Sequence, residues 1–261
     1  MSSFQVVMRR RSGVSPFLIV LFVCFVLGIF SVFVRRSERL STEESADPTP
    51  AFVNAAGESE PGEDPLEIAL LLGVDSLTAS QPLLRSIWLI QFQDNGSEIH
   101  LLGVPVDLRL GGPASASLQE LFDFSPDAGI DPDFLATVNL LAPRNSDYHI
   151  LLDERGLETV LDFLGGVSLD GDSFSASQII RVLRLLSDDP VANLKLQAQI
   201  IESFASYAFE LSSNLEITPL IDLVPEHAYV SHSALELSSL AAGMLPIRPE
   251  AILIDLFLPE P

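Results

Sequence analysis

From Leu66 onward, short apolar runs alternate with polar breaks, and their lengths separate strands from helices. Glu67 to Val74 (EIALLLGV) is continuous and ends at Asp75-Ser76, the pattern of a buried strand. Ile87 to Gln93 and Glu98 to Val104 are two further runs. Between them, Asp94-Asn95-Gly96-Ser97 supplies the positive-φ residues of a tight hairpin, and Pro105 ends the second run. Residues 116–122 and 132–142 predict short helices, the latter capped by Asp131 or Asp133. Tyr148 to Leu152 predicts a strand. Arg155 to Phe163 predicts a helix with Leu157, Val160, Leu161 and Leu164 on one face, stopped by Gly165-Gly166. Val167 to Leu169 begins another short strand. Helices over Ser177 to Leu186 and Val191 to Ser212 are parted by Ser187-Asp188-Asp189-Pro190. On the second, Leu196, Ile200, Phe204 and Tyr207 recur at helical spacing as a packing stripe. A strand-like piece at Leu215 to Thr218, a helix over Ser233 to Met244 and a strand over Ala251 to Leu258 complete the pattern. The alternation predicts an α/β domain over residues 66–261, a mixed central sheet flanked by helices.

The pattern before Leu66 is different. Phe17 to Val34 holds 18 residues without a charge, long enough for one transmembrane helix that satisfies its own backbone. A cleaved signal peptide would have a shorter apolar region and a small-residue end, whereas this run ends in Val-Phe-Val and two arginines. Arg9, Arg10 and Arg11 before the span nearly balance Arg35, Arg36 and Arg39 after it, and the free amino terminus tips residues 1–16 to the cytoplasm. Residues 35–65, rich in Ser, Thr, Glu, Pro and Gly, predict a disordered stalk. The expected location is the cell membrane, single-pass, with the main domain extracytoplasmic.

Charge narrows the partners. The chain carries −22, residues 1–40 carry +5, and residues 41–261 therefore carry −27. Such a surface repels nucleic-acid phosphates, whose binding rests on Lys and Arg. It also opposes a polyanionic substrate unless a divalent cation or a local arginine cluster intervenes. Cys24, the only cysteine, lies in the apolar segment, so no disulfide forms within one chain.

Familiar chemistry is largely missing. There is no G-x-S-x-G elbow and no glycine-rich phosphate loop, and His100, His149, His227 and His232 lack zinc-ligand spacing. Asp170-Gly171-Asp172 lacks the later ligands of a calcium loop and reads as a turn. Asp75 directly follows a buried strand, where α/β sheets carry functional side chains and where turn-capping aspartates also sit. Arg181 and Arg184, three apart, can share a helix face as a surface pair or as a positive edge on a cleft.

After the span and stalk come LLGVDS, an arginine before a strand, a hairpin and LLGVPVDL. FLATVNLL and SDYHILLDERGLETVLDFLGGVSLDG follow, then QIIRVLRLLSDDPVANLKLQAQII and the closing ALELSSLAAGMLPIRPEAILIDLFLP. This order of segments resembles the LytR-CpsA-Psr cell-envelope family. The resemblance covers about Leu66 to Pro259. It implies transfer of glycopolymer from a polyprenyl-pyrophosphate carrier to the cell wall, usually with magnesium. It also implies an apolar cavity for the lipid tail, with arginines and aspartates at its mouth. By this likeness Asp75, Asp107 and Arg184 are the catalytic candidates, Arg85 and Arg184 the phosphate-binding ones, and Asp75 and Asp107 the residues for magnesium.

The chain departs from the pattern where charge matters. Gly73-Val74-Asp75-Ser76-Leu77 keeps the aspartate of G-x-D-x-R and loses the arginine. Arg85-Ser86-Ile87 loses the aspartate of R-x-D, and an ungapped register puts Arg85 on that aspartate instead. Pro105-Val106-Asp107 loses the central arginine of P-R-D, and Arg184-Leu185-Leu186 keeps only the first arginine of R-x-R. Asn193 and Leu196 stand for a following arginine pair, while Gln197 and Gln199 remain of a glutamine run. Charge-assisted hydrogen bonds contribute about 1.5–3 kcal/mol each, so these losses predict weak or lost transfer. Three functions stay open: an active or weakly active transferase, a non-catalytic protein binding a lipid, envelope glycopolymer or assembly partner, and a structural contact domain.

Overall fold

The computed structural model describes residues 66–93, 98–111, 115–207, 224–232 and 252–258. The proposed span at 17–34, the stalk, the hairpin turn at 94–97, the strand at 215–218 and the helix at 233–244 lie outside these residues. Among the described residues, no helix is long and apolar enough to cross a membrane.

In chain order the strands are β1 (Leu66–Val74), β2 (Leu84–Gln93), β3 (Ile99–Val104), β4 (Phe124–Ser125), β5 (Gly129–Ile130), β6 (Tyr148–Asp153), β7 (Val167–Leu169), β8 (Asp172–Phe174), β9 (Ala228–Val230) and β10 (Ile252–Leu256). The helices are α1 (Leu118–Leu121), α2 (Pro132–Asn139), α3 (Glu154–Phe163), α4 (Ala176–Leu185), α5 (Pro190–Tyr207) and α6 (Val224–His227). The expected mixed sheet is present, with strand order β10-β3-β2-β1-β6-β9. β1 is antiparallel to β2 and parallel to β6, and β10 is parallel to β3. β1, β3, β6 and β10 therefore all end at one edge of the sheet, where β2 begins.

Side chains on a strand alternate between faces, so each strand feeds two cores. Ile68, Leu70, Leu72 and Val74 of β1 pack with Ile87 and Leu89 of β2, and with Leu118, Phe134 and Val138 of α1 and α2. On the other face, Trp88 packs with Leu194 and Ala198 of α5. Val160, Leu161, Leu164, Ile179, Ile180 and Ile200 join α3, α4 and α5. Full burial of such a side chain contributes about 1.5–3 kcal/mol. Gly103 is required by this packing: a Cβ there would lie 2.8 Å from Trp88 and 2.9 Å from Leu194.

The helix starts follow from local chemistry. Ser117 and Glu120 form a reciprocal capping box on α1, as do Ser175 and Gln178 on α4. Asp131 caps α2 by accepting from Asp133 and Phe134 N–H. The Gly165-Gly166 stop takes φ of 81° and 95°. β2 begins three residues earlier than the apolar run suggested, at Leu84. Asp170-Gly171 is a turn, joining β7 to β8.

A partly buried histidine on β6 ties stability to pH. His149 of β6 has its Nε2 3.0 Å from Ser146 Oγ. Burial, followed by the nearby His232, lowers its pKa below the ordinary histidine value. The unfolded chain then binds this proton at a higher pH than the folded one, near pH 6.5. This contribution to stability is undiminished above that pH and declines as pH falls below it. The urea midpoint is expected to drop between about pH 7 and pH 5.5, by less in His149→Gln. Equal drops in the two proteins would remove His149 as the cause.

Candidate functional site

The second face of the sheet is incompletely filled. Leu71 of β1, Trp88 and Ile90 of β2 and Leu101 of β3 form its floor. Leu157 and Val160 of α3, Ile180 and Leu183 of α4, and Ile200 and Ile201 of α5 form the roof. They enclose a mainly apolar cavity of about 190 Å³. The paired Gly73 and Ser86 line it too, and their small side chains keep this end of β1 and β2 open.

Polar groups concentrate on one stretch of wall. Trp88 Nε1 donates to Gln197 Oε1 at 2.9 Å, and Gln197 Nε2 donates to Asn193 Oδ1 at 2.6 Å and to Arg85 O at 3.3 Å. Asn193 Nδ2 donates to Leu183 O at 2.8 Å. These bonds pin α5 against β2 and α4. A smaller recess of about 20 Å³ adjoins the cavity and shares Arg85, Ser86, Ser187, Asn193 and Gln197 with it.

The structure separates the two phosphate-binding candidates. Arg85 lines both spaces; its Nε is buried without a hydrogen-bond partner among the described residues. Arg184 also lines the cavity, but its Nε donates to Glu154 Oε2 at 2.7 Å and its Nη2 lies 2.6 Å from the same oxygen. Glu154 raises the pKa of Arg184 above its already high ordinary value. Arg109, another of the domain's few cations, pairs with Glu120 at 3.1 Å, and Arg181 is exposed.

Asp75 and Asp107 share the edge where β1 and β3 end, but neither lines the cavity. Asp75 Oδ1 accepts from Ser76 N and Leu83 N, both at 2.8 Å, closing the β1–β2 connection. Asp107 is exposed in the turn after β3. A magnesium ion takes one or two carboxylates and fills its shell with water and phosphate. Among the described residues, Asp75 Oδ2 has no hydrogen-bond partner and is available for such a role. Among the described residues, no group of three or more His, Cys, Asp or Glu could hold a metal ion.

Sequence reasoning passed over the acids on the cavity wall itself. Asp153, at the end of β6, is buried; its Oδ1 accepts from Gly156 N at 2.8 Å and its Oδ2 lies 3.1 Å from His227 Nδ1. Glu154 follows it. The signal was available, because Asp153 directly follows the predicted strand Tyr148 to Leu152 as Asp75 follows Glu67 to Val74.

No family model and no curated protein matches the chain. Solved structures do match the fold. Bacillus subtilis TagV matches with a TM-score of 0.56 at 14% identity, over 75% of this chain and 85% of TagV. Protein gbs0355 from Streptococcus agalactiae matches with a TM-score of 0.56 at 18% identity, over 74% of this chain and 77% of that one. TagT bound to LI-WTA matches with a TM-score of 0.54 at 16% identity, over 77% of this chain and 81% of TagT. The described domain, six-stranded mixed sheet and covering helices together, has a LytR-CpsA-Psr-like fold.

Proposed function

We propose that this chain is a single-span, membrane-anchored protein of cell-envelope biogenesis whose extracytoplasmic domain binds a polyprenyl-linked glycopolymer precursor, with weak or lost transfer to the cell wall. The apolar cavity carries this reading. Burial contributes about 0.8 kcal/mol per CH₂, so even one isoprene unit seated there contributes about 4 kcal/mol. The TagT likeness, with LI-WTA bound in that structure, supports the same ligand class. The uncharged run at 17–34 would supply the anchor and residues 35–65 the tether.

Weak transfer follows from the charges. Arg184 is committed to Glu154, leaving Arg85 as the cavity-lining arginine without an ion pair among the described residues. Stabilising a departing pyrophosphate calls for several fixed positive groups. Magnesium enters only if transfer persists: Asp75 and Asp107 would hold it, and it would neutralise charge on the leaving phosphate.

The test is lipid extraction from the full chain purified in detergent, read by mass spectrometry. A polyprenyl-chain lipid is expected in stoichiometric amount. Leu71→Trp, which fills the floor of the cavity, is expected to reduce it about fivefold, a loss of about 1 kcal/mol, with an unchanged circular dichroism spectrum. A wild-type chain that carries no such lipid, and takes none up when it is supplied, contradicts the reading.

A further inference from the structure

We infer that the polar junction at Arg85 takes a polyprenyl lipid whose head is a single phosphodiester, a lipid monophosphoryl sugar, in preference to a pyrophosphoryl-linked one. This deepens the lipid-binding reading and rests on it.

The argument is a comparison of charges at one place. Among the described residues, four charged side chains line the cavity: Arg85, Asp153, Glu154 and Arg184. Arg184 and Glu154 cancel each other at 2.6 Å. Asp153 is engaged by Gly156 N and His227. Arg85 is left, with a buried Nε–H that has no partner among the described residues. It stands where the apolar cavity meets the polar recess, so a tail in the first brings its head to the second.

One phosphodiester carries one negative charge and finds one guanidinium there. A pyrophosphate diester carries two. Its second charge would find Arg184 already occupied and the carboxylates of Asp153 and Glu154 on the same wall. In a domain whose sequence carries −27 over residues 41–261, no general positive field offsets that repulsion. The neutral donors at the junction do not replace a cation. The Gln197 amide already donates to Asn193 and to the Arg85 carbonyl, and the Asn193 amide to Leu183 O.

The experiment measures binding to the full chain in detergent with three probes: undecaprenyl phosphoryl-mannose, undecaprenyl pyrophosphoryl-N-acetylglucosamine and undecaprenol. The phosphoryl-mannose is expected to bind about tenfold more tightly than either of the others. In Arg85→Gln its advantage over undecaprenol is expected to vanish, and in Arg85→Lys to return in part. Should Arg85→Gln fail to fold, the probe ranking in the wild-type chain and in Arg85→Lys still decides. Pyrophosphoryl lipid binding as tightly as the phosphoryl lipid overturns the inference. So does a phosphoryl advantage that survives in Arg85→Gln. Undecaprenol bound as tightly as the phosphoryl lipid overturns it while leaving the apolar cavity standing as a lipid site. Absence of binding by all three probes removes the lipid reading as well.

Discussion

Phe134→Ala is expected to destabilise the domain by about 3–5 kcal/mol, measured as a fall in the urea midpoint at unchanged slope. Phe134 is fully buried on α2, in the core on the far side of the sheet from the cavity. It packs edge-on against Phe122 with centroids 5.2 Å apart, a geometry that contributes about 0.5–1.5 kcal/mol beyond area burial. The truncation loses its hydrocarbon from the core and leaves a void that the Leu118 and Val138 neighbourhood fills only in part. Folded protein should still take up the proposed lipid, because the cavity lies behind β1 and β2. A loss under about 1 kcal/mol would mean that α2 is not docked as described.

The contrast between the two sides explains what the sequence disclosed. β1 was legible because burial on both faces makes its run continuously apolar, and α3 because its apolar residues repeat at helical spacing. The start of β2 was hidden by Arg85 and Ser86, which line the cavity and interrupt the apolar pattern. β4–β5, β8 and β9 are two or three residues long, too short for a periodic signal. The same logic governs the site. Arg184 could be found as a cation on an otherwise apolar helix, and Arg85 through the family resemblance. That Arg184 is paired could not, because Glu154 lies 30 residues away and meets it only when α3 packs on α4. Asp75 is similar: its commitment to Leu83 N, eight positions on, depends on the β1–β2 connection closing at the sheet edge.

That ion pair sets up the largest functional effect. Glu154→Gln is expected to raise affinity for a pyrophosphoryl lipid about thirtyfold and to erase the inferred preference for a single phosphodiester. The substitution does two things at once. It removes a negative charge from the cavity wall, and it releases the Arg184 guanidinium, whose Nε and Nη2 are held by one carboxylate oxygen. A charge-assisted hydrogen bond contributes about 1.5–3 kcal/mol. The Arg184 side chain is 65% exposed, so solvent screening keeps the gain near the lower end, about 2 kcal/mol, which is the thirtyfold change. The exposed ion pair contributes at most about 1 kcal/mol to folding, so stability should change little and the variant remains readable. Titrating the full chain in detergent at two salt concentrations separates the causes: added salt should shrink the gain if it comes from Arg184. An unchanged pyrophosphoryl affinity in Glu154→Gln would place Arg184 too far from the head to matter. The weak transfer proposed above would then have to rest on the turn that holds Asp75.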